Sequence, residues 1–418
     1  MNISDLLATE WKPALGCTEP AAVAWVTALA MEHTKGEIRS VELLCDPRTY
    51  KNCYAVGIPN SGHCTGILWA LALGVAVKNS SLGLKIFDGN SADAIAMAKE
   101  LIEHRKISVE VATGHPELMV CVTVEADGGT AIAMVEREHT NLTRLEANGV
   151  IISGKSESSQ QECATEVRSK LVKLSHEERR EMARSLMPSD RNRLREGINL
   201  NLAIAEHGLA LLPKEFAFSG DNQPQARISR LVAAGVFARM SGEALPVMTL
   251  SGSGNKGITV TVPIVLWGRE IGAETATIEE ALAFACIMTS AVTYELGTLS
   301  AICGAANAAG IGVAVALVLL AGGNSEQIDL AINNMVGNLA GMICDGAKIG
   351  CAMKTMTGVD AAFRATQLAM AGIGIPATDG IVGENGATSL ANLGTLARQG
   401  MKNVDETVLQ IMQGKLKR

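Results

Sequence analysis

Polar and apolar positions divide the chain into two kinds of text. In the first, three runs, Ile107–Thr113, Leu118–Ala126 and Thr130–Glu138, alternate with period two, the mark of strands with one buried face. Asp127, Gly128 and Gly129 between the last two predict a hairpin. Ile38–Cys45 and 53–58 also read as strands, and 139–146 as a further one. Helical spacing marks Gly62 to about Val75 and Ser91–His104, with Ser91 as N-cap. In the second kind of text, from 162 onward, the period is helical: 162–185, 191–211 and 226–240, a break at 242–255, then Ala/Gly-rich apolar helices from 278. Helices near 388–399 and 404–412 close the chain. The expected fold class is α+β. An α/β layer with an antiparallel meander spans 1–190, and a mostly α-helical, Gly/Ala-rich domain spans 191–418.

The first 33 residues read as helix, interruption, helix. Residues 4–11 supply about two turns, ended by Pro13. Then comes ALGCTEPAA at 14–22, in which Thr18 is the expected N-cap, Glu19 suits the first turn and Pro20 a position with an orphan N–H. Cys17 thus falls at a helix N-terminus, where the dipole favours a thiolate and Glu19 opposes it. The opening residues lack a basic stretch followed by an apolar one, so no signal peptide is expected.

One stretch carries no charge at all, 297–325. It is long enough to consider as a membrane span. Six glycines, Ser300 and Asn307 make it only weakly apolar, and no aromatic belt flanks it, so a buried helix is the expectation and a membrane partner is not. The 418 residues imply two domains. A net charge of −7 with 3% aromatics offers neither a phosphate-binding stripe nor a stacking platform, which argues against nucleic acid. Cytoplasmic localisation is expected, with the ten cysteines as reduced thiols.

Most of those cysteines read as small buried hydrophobes. Residues 344–351, CDGAKIGC, place Cys344 and Cys351 seven apart across Gly346 and Gly350, a spacing that suits a loop wrapped around something. The spacing matches no zinc ribbon or ferredoxin, so metal ligation stands beside plain glycine-rich packing. Cys17 could be nucleophile, base, ligand or a buried turn residue. The run Ser251, Gly252, Ser253, Gly254, Asn255 has the makings of an anion nest without matching a P-loop, or is a simple inter-helix loop. Lys51, Asn52 and His139 end predicted strands and could line a site between layers. No Ser-His-Asp order, HExxH motif or pyridoxal-phosphate lysine context is visible.

ALGCTEPA at 14–21, KN at 51–52 followed by VGIP, SGSGN at 251–255 and CDGAK…C at 344–351 occur in this order across nearly the whole chain. Together they resemble the L-cysteine desulfidase family and, more distantly, the iron–sulfur L-serine dehydratases. The resemblance implies a [4Fe–4S] cluster on Cys303, Cys344 and Cys351 with one open iron, Cys17 as catalytic base, and Ser251–Asn255 as a substrate-holding loop. No pyridoxal phosphate is implied. The Cys17 loop must then fold back to the later domain. The implied reaction is β-elimination of L-cysteine to sulfide, ammonia and pyruvate. The alternative within enzymes is dehydration of L-serine or another β-substituted amino acid. The alternative of another class is a non-catalytic zinc-binding or scaffold protein. The dehydratases usually cap the open iron with a C-terminal cysteine, and this chain ends GKLKR without one. Ala/Gly-rich helices leave room for a homodimer.

Overall fold

The computed structural model describes residues 2–112, 118–154, 164–217 and 222–416. Cys163 and most of the polar 153–160 loop lie outside them. The first helix, Ile3–Glu10, is closed by an Asn2–Asp5 capping box and gives way to strand β1, Trp11–Leu15. Gly16 then turns the chain in the left-handed region (φ +72°), with Pro59 so close that a Cβ there would lie 2.6 Å from its ring. The next helix, Thr18–Glu32, has Cys17 at its N-cap position rather than the expected Thr18, and no side chain bonds its first N–H groups from there.

A six-stranded sheet holds β2 (Ile38–Cys45), β3 (Ile107–Val111), β4 (Met119–Ala126), β5 (Gly129–Glu136), β6 (Leu142–Ala147) and β7 (Val150–Gly154) in the order β3-β2-β4-β5-β6-β7. The fold is α+β, as the alternation implied, and the 127–129 hairpin joins β4 to β5. The run at 107–113 does not enter the meander: β3 pairs parallel with β2 and forms the edge. Helices Thr18–Glu32 and Ile67–Val77 bury the inner face, with Val41, Leu43, Val122, Val124 and Val135 beneath them. The expected strand at 53–58 is instead the end of a short helix, Pro47–Cys53, and an irregular turn. Asp46 caps that helix, accepting from the N–H groups of Arg48 and Thr49, and also takes the N–H of Met119 on β4. A side chain that answers four donors, the Thr49 hydroxyl included, won over the period-two pattern.

The second core is helical. It gathers Ile3, Leu6, Leu7, Trp11 and Cys17 with residues of 167–198 and of the helices beyond. The single helix expected over 162–185 is two, Ala164–Val172 and His176–Arg184, separated where Ser175 caps the second. Strand β8 (Pro246–Leu250) lies inside the predicted break and pairs antiparallel with β1, Trp11 opposite Leu250 and Leu15 opposite Pro246. That pairing seats Cys17 against the helical core. The uncharged stretch is not one helix: only Ala308–Leu320 is helical, and 297–307 is a loop. Thirteen residues reach about 20 Å, short of the ~30 Å of a bilayer core. One helix among the described residues, Thr275–Leu296, is long and apolar enough to span, and 78% of its apolar window is buried inside the fold.

Candidate functional site

The loop 297–307 and the loop 341–350 are tied by an antiparallel bridge between Ile302 and Ile343. The Cys303 N–H donates to Met342 O at 2.9 Å and the Cys344 N–H to Ala301 O at 2.7 Å, which sets two cysteines on adjacent backbones. Cys351 opens the helix Cys351–Met370. The glycine-rich spacing does make a loop. At Gly346 (φ +98°) a Cβ would lie 2.3 Å from Lys51 O, so only glycine lets the cysteine loop press on the Pro47–Cys53 helix.

Cys303, Cys344 and Cys351 line one cavity of about 90 Å³, and so do Cys17, Glu19, Asn52, Gly252, Ser253 and Asn255. The segments that the sequence reading singled out therefore converge from positions 17, 52, 252–255 and 303–351. Ser251 and Gly254 stand just outside this lining. The Ser251 hydroxyl is spent on Ser290 Oγ at 2.9 Å. Ser251 and Gly252, both at positive φ, form a two-residue turn whose flanks, Leu250 and Ser253, exchange hydrogen bonds of 3.1 Å. Lys51 is also outside: its ammonium donates to Cys344 O at 2.7 Å and pairs with Asp405. His139 lines a smaller neighbouring cavity with Glu10 and Arg168, and its Nε2 has no hydrogen-bond partner.

The Cys17 side of the cavity is tightly bonded. Its thiol donates to Glu19 Oε2 at 2.9 Å; Thr18 Oγ1 lies 3.0 Å from the same oxygen, and Asn52 Nδ2 donates to Oε1 at 3.0 Å. His139 Nε2 stands 3.9 Å from Oε1, an electrostatic neighbour. Burial works to raise the Glu19 carboxyl, but His139 and the Cys17 S–H more than offset it and hold it below the usual carboxylate range. Burial and then the Glu19 charge push the Cys17 thiol well up. The expectation that the helix N-terminus favours a thiolate is thus reversed. Desolvation and an adjacent carboxylate outweigh the dipole, and the proton rests on sulfur.

The cysteine-loop side is different. Burial and the neighbouring Cys344 and Cys351 raise Cys303 to about 12, and burial raises Cys351. Lys348 and Lys354 both pair with Asp345 and set positive charge beside the thiols. All three are free thiols. Among the described residues no three His, Cys, Asp or Glu stand close enough to grip one metal ion.

Two cations in the lining went unnoticed in the sequence. Arg239 is buried, donates to Asn255 Oδ1 and Gly16 O at 2.8 Å each, and leaves Nε without a partner. Lys256 is buried beside the turn. Its ammonium reaches Thr293 Oγ1 at 3.0 Å and Ser251 O at 3.3 Å, so a third proton is left for a ligand. Burial and the Arg168 guanidinium lower it to about 7. Its place directly after SGSGN was the signal available.

The sequence profile of the serine dehydratase alpha chain matches residues 90–410. The chain belongs to that family. It is also 35% identical to a UPF0597 protein of Geobacter sulfurreducens and 37% identical to one of Oleidesulfovibrio alaskensis, in each case over 98% of this chain and 97% of the relative. A UPF0597 protein of Caldanaerobacter subterraneus is 34% identical with the same coverage. The family profile takes in the 251–256 turn and Cys303, Cys344 and Cys351, whereas Cys17, Glu19 and Asn52 precede it. Those three come under the full-length relatives, and no name among these matches mentions a desulfidase.

Proposed function

We propose that the chain is an iron–sulfur-dependent, pyridoxal-phosphate-independent lyase acting on a small β-substituted amino acid, with L-cysteine first and L-serine second. The observation that supports this most is the single cavity bounded by three free thiols on one side and the Cys17–Glu19 pair on the other. The donor set fits a cluster. Thiolates select soft metals and iron–sulfur centres. Zinc would draw on the same thiolates, and metal analysis of the anaerobically purified protein separates the two: iron with acid-labile sulfide supports the cluster and zinc alone contradicts it. Cys303, Cys344 and Cys351 would hold the [4Fe–4S] cluster. With three protein ligands it supplies a Lewis acid at its remaining iron, able to polarise a carboxylate or a leaving group.

The chain's own groups do the rest. Lys256 and Arg239 meet the substrate carboxylate, and its negative charge draws the Lys256 proton affinity back up. The Ser251–Gly252 turn bounds the cavity beside them. Cys17 takes the Cα proton while its own proton is relayed through Glu19 to the departing β-sulfur, so that hydrogen sulfide leaves, Glu19 stays ionised and aminoacrylate remains. Tautomerisation and water then give pyruvate and ammonia. The buried walls limit water in the cavity. Pyruvate release from L-cysteine and from L-serine, measured side by side on anaerobically reconstituted protein, tests the reading. Release from neither removes it. Release from L-serine alone installs the dehydratase reading that the family's name favours.

A further inference from the structure

A single carboxylate on the last helix reaches both cysteine loops through two cations. Asp405, buried near the start of helix Val404–Leu416, pairs with Lys51 through Oδ1 and accepts from Arg48 Nε through Oδ2 at 2.6 Å. Each cation also donates to a backbone carbonyl of the metal side. Lys51 reaches Cys344 O at 2.7 Å, and Arg48 Nη1 reaches Leu299 O in the loop that carries Cys303. Lys51 is 1% exposed, so its charge has no water to turn to if Asp405 is lost. The helix that carries both cations is fixed to the sheet by Asp46 and Met119. Tyr54 adds a bond of 3.3 Å to Met412 O on the last helix. None of these three side chains lines the cavity.

We propose that Asp405, Lys51 and Arg48 form a clasp through which the C-terminal helix sets the relative position of the Cys303 and Cys344 loops. Whether the chain keeps its metal centre then depends on that helix being docked. This rests on the cluster reading above. The three residues are positioning residues: they act on the backbones that carry the ligands and touch no reacting atom. Lys51, expected from sequence beside the substrate, is assigned to the metal loop instead.

The test compares wild type with Asp405→Asn, which keeps the shape and removes the charge, and with Glu406→Gln, its exposed neighbour, as control. In the metal-free chain, hydrogen exchange of the Cys303 and Cys344 amides is expected to speed up roughly tenfold or more in Asp405→Asn, with the far-UV spectrum and β4–β5 amides unchanged. After anaerobic reconstitution the same variant should hold less iron and lose it faster in air than wild type, while Glu406→Gln matches wild type. Arg48→Met should loosen the Cys303 amide more than the Cys344 amide, and this milder variant keeps the test open if Asp405→Asn unfolds. Unchanged amide exchange in Asp405→Asn and Arg48→Met overturns the clasp. Wild type that binds no iron and sulfide overturns the cluster reading instead, and the exchange data still decide the clasp.

Discussion

The two walls of the cavity use the same element in opposite ways. On one, the Cys17 sulfur is held by a carboxylate whose three further neighbours are Thr18, Asn52 and His139, and its proton is fixed in place. On the other, Cys303, Cys344 and Cys351 are held mainly through their backbones, and the nearby charges are Lys348 and Lys354 around Asp345, one more positive than negative. Cys351 makes only a weak 3.5 Å contact to Gly346 O. A carboxylate keeps a proton on sulfur, whereas positive charge and open valence suit a thiolate that gives its proton to a metal. On the proposed reading that difference makes Cys17 the proton-handling cysteine and the other three the ligands, without reference to their spacing.

The largest expected effect lies on the metal wall. Cys344→Ser should abolish iron uptake and lower pyruvate release by about 10⁴-fold or more, because the Lewis acid goes with the ligand. Full activity without iron would end the distinction between the walls. Next is Cys17→Ala, which should lower kcat by roughly 10²–10⁴-fold, the range for a positioned acid or base. A change confined to KM would make Cys17 a binding residue. Glu19→Gln sharpens the contrast. It should reduce kcat by at least about tenfold, yet in the metal-free chain Cys17 should alkylate faster, since the charge that pushes its thiol up is gone.

The smallest effect concerns Lys256. Its native pKa of about 7 lies below the ~10.4 of an unfolded lysine, so the unfolded chain binds the extra proton between those values. Stability of the metal-free chain should therefore rise with pH from about 7 until the thiols of the unfolded chain begin to ionise near pH 8.5, after which the buried cysteines reverse the slope. Lys256→Met should flatten that rise in urea titrations across the window. It should also raise KM for the amino acid by about tenfold through loss of a charged contact.

Local signals were the readable ones. Alternation located three strands, Asp127–Gly129 located a hairpin, and the glycines between Cys344 and Cys351 correctly implied a loop. Site segments were legible where rare residue types sat together, as at 14–20 and 251–255. Hidden features depended on partners far along the chain. Strand β8 exists because β1, more than 230 residues earlier, pairs with it, and Lys51 meets Asp405 across 354 residues. Arg239 falls within the helical run at 226–240, and only packing shows it buried against Gly16 and Asn255. The balance at Cys17 stayed open for the same reason. Sequence shows the dipole and the opposing Glu19 charge but not the full burial that sides with the carboxylate.

The most direct measurement is iron and acid-labile sulfide per chain, with Mössbauer spectra, on anaerobically reconstituted wild type and Cys17→Ala. The account predicts the same [4Fe–4S] cluster in both, because Cys303, Cys344 and Cys351 hold it and Cys17 does not. A wild type without a cluster, or a Cys17→Ala variant that loses it, would contradict the account.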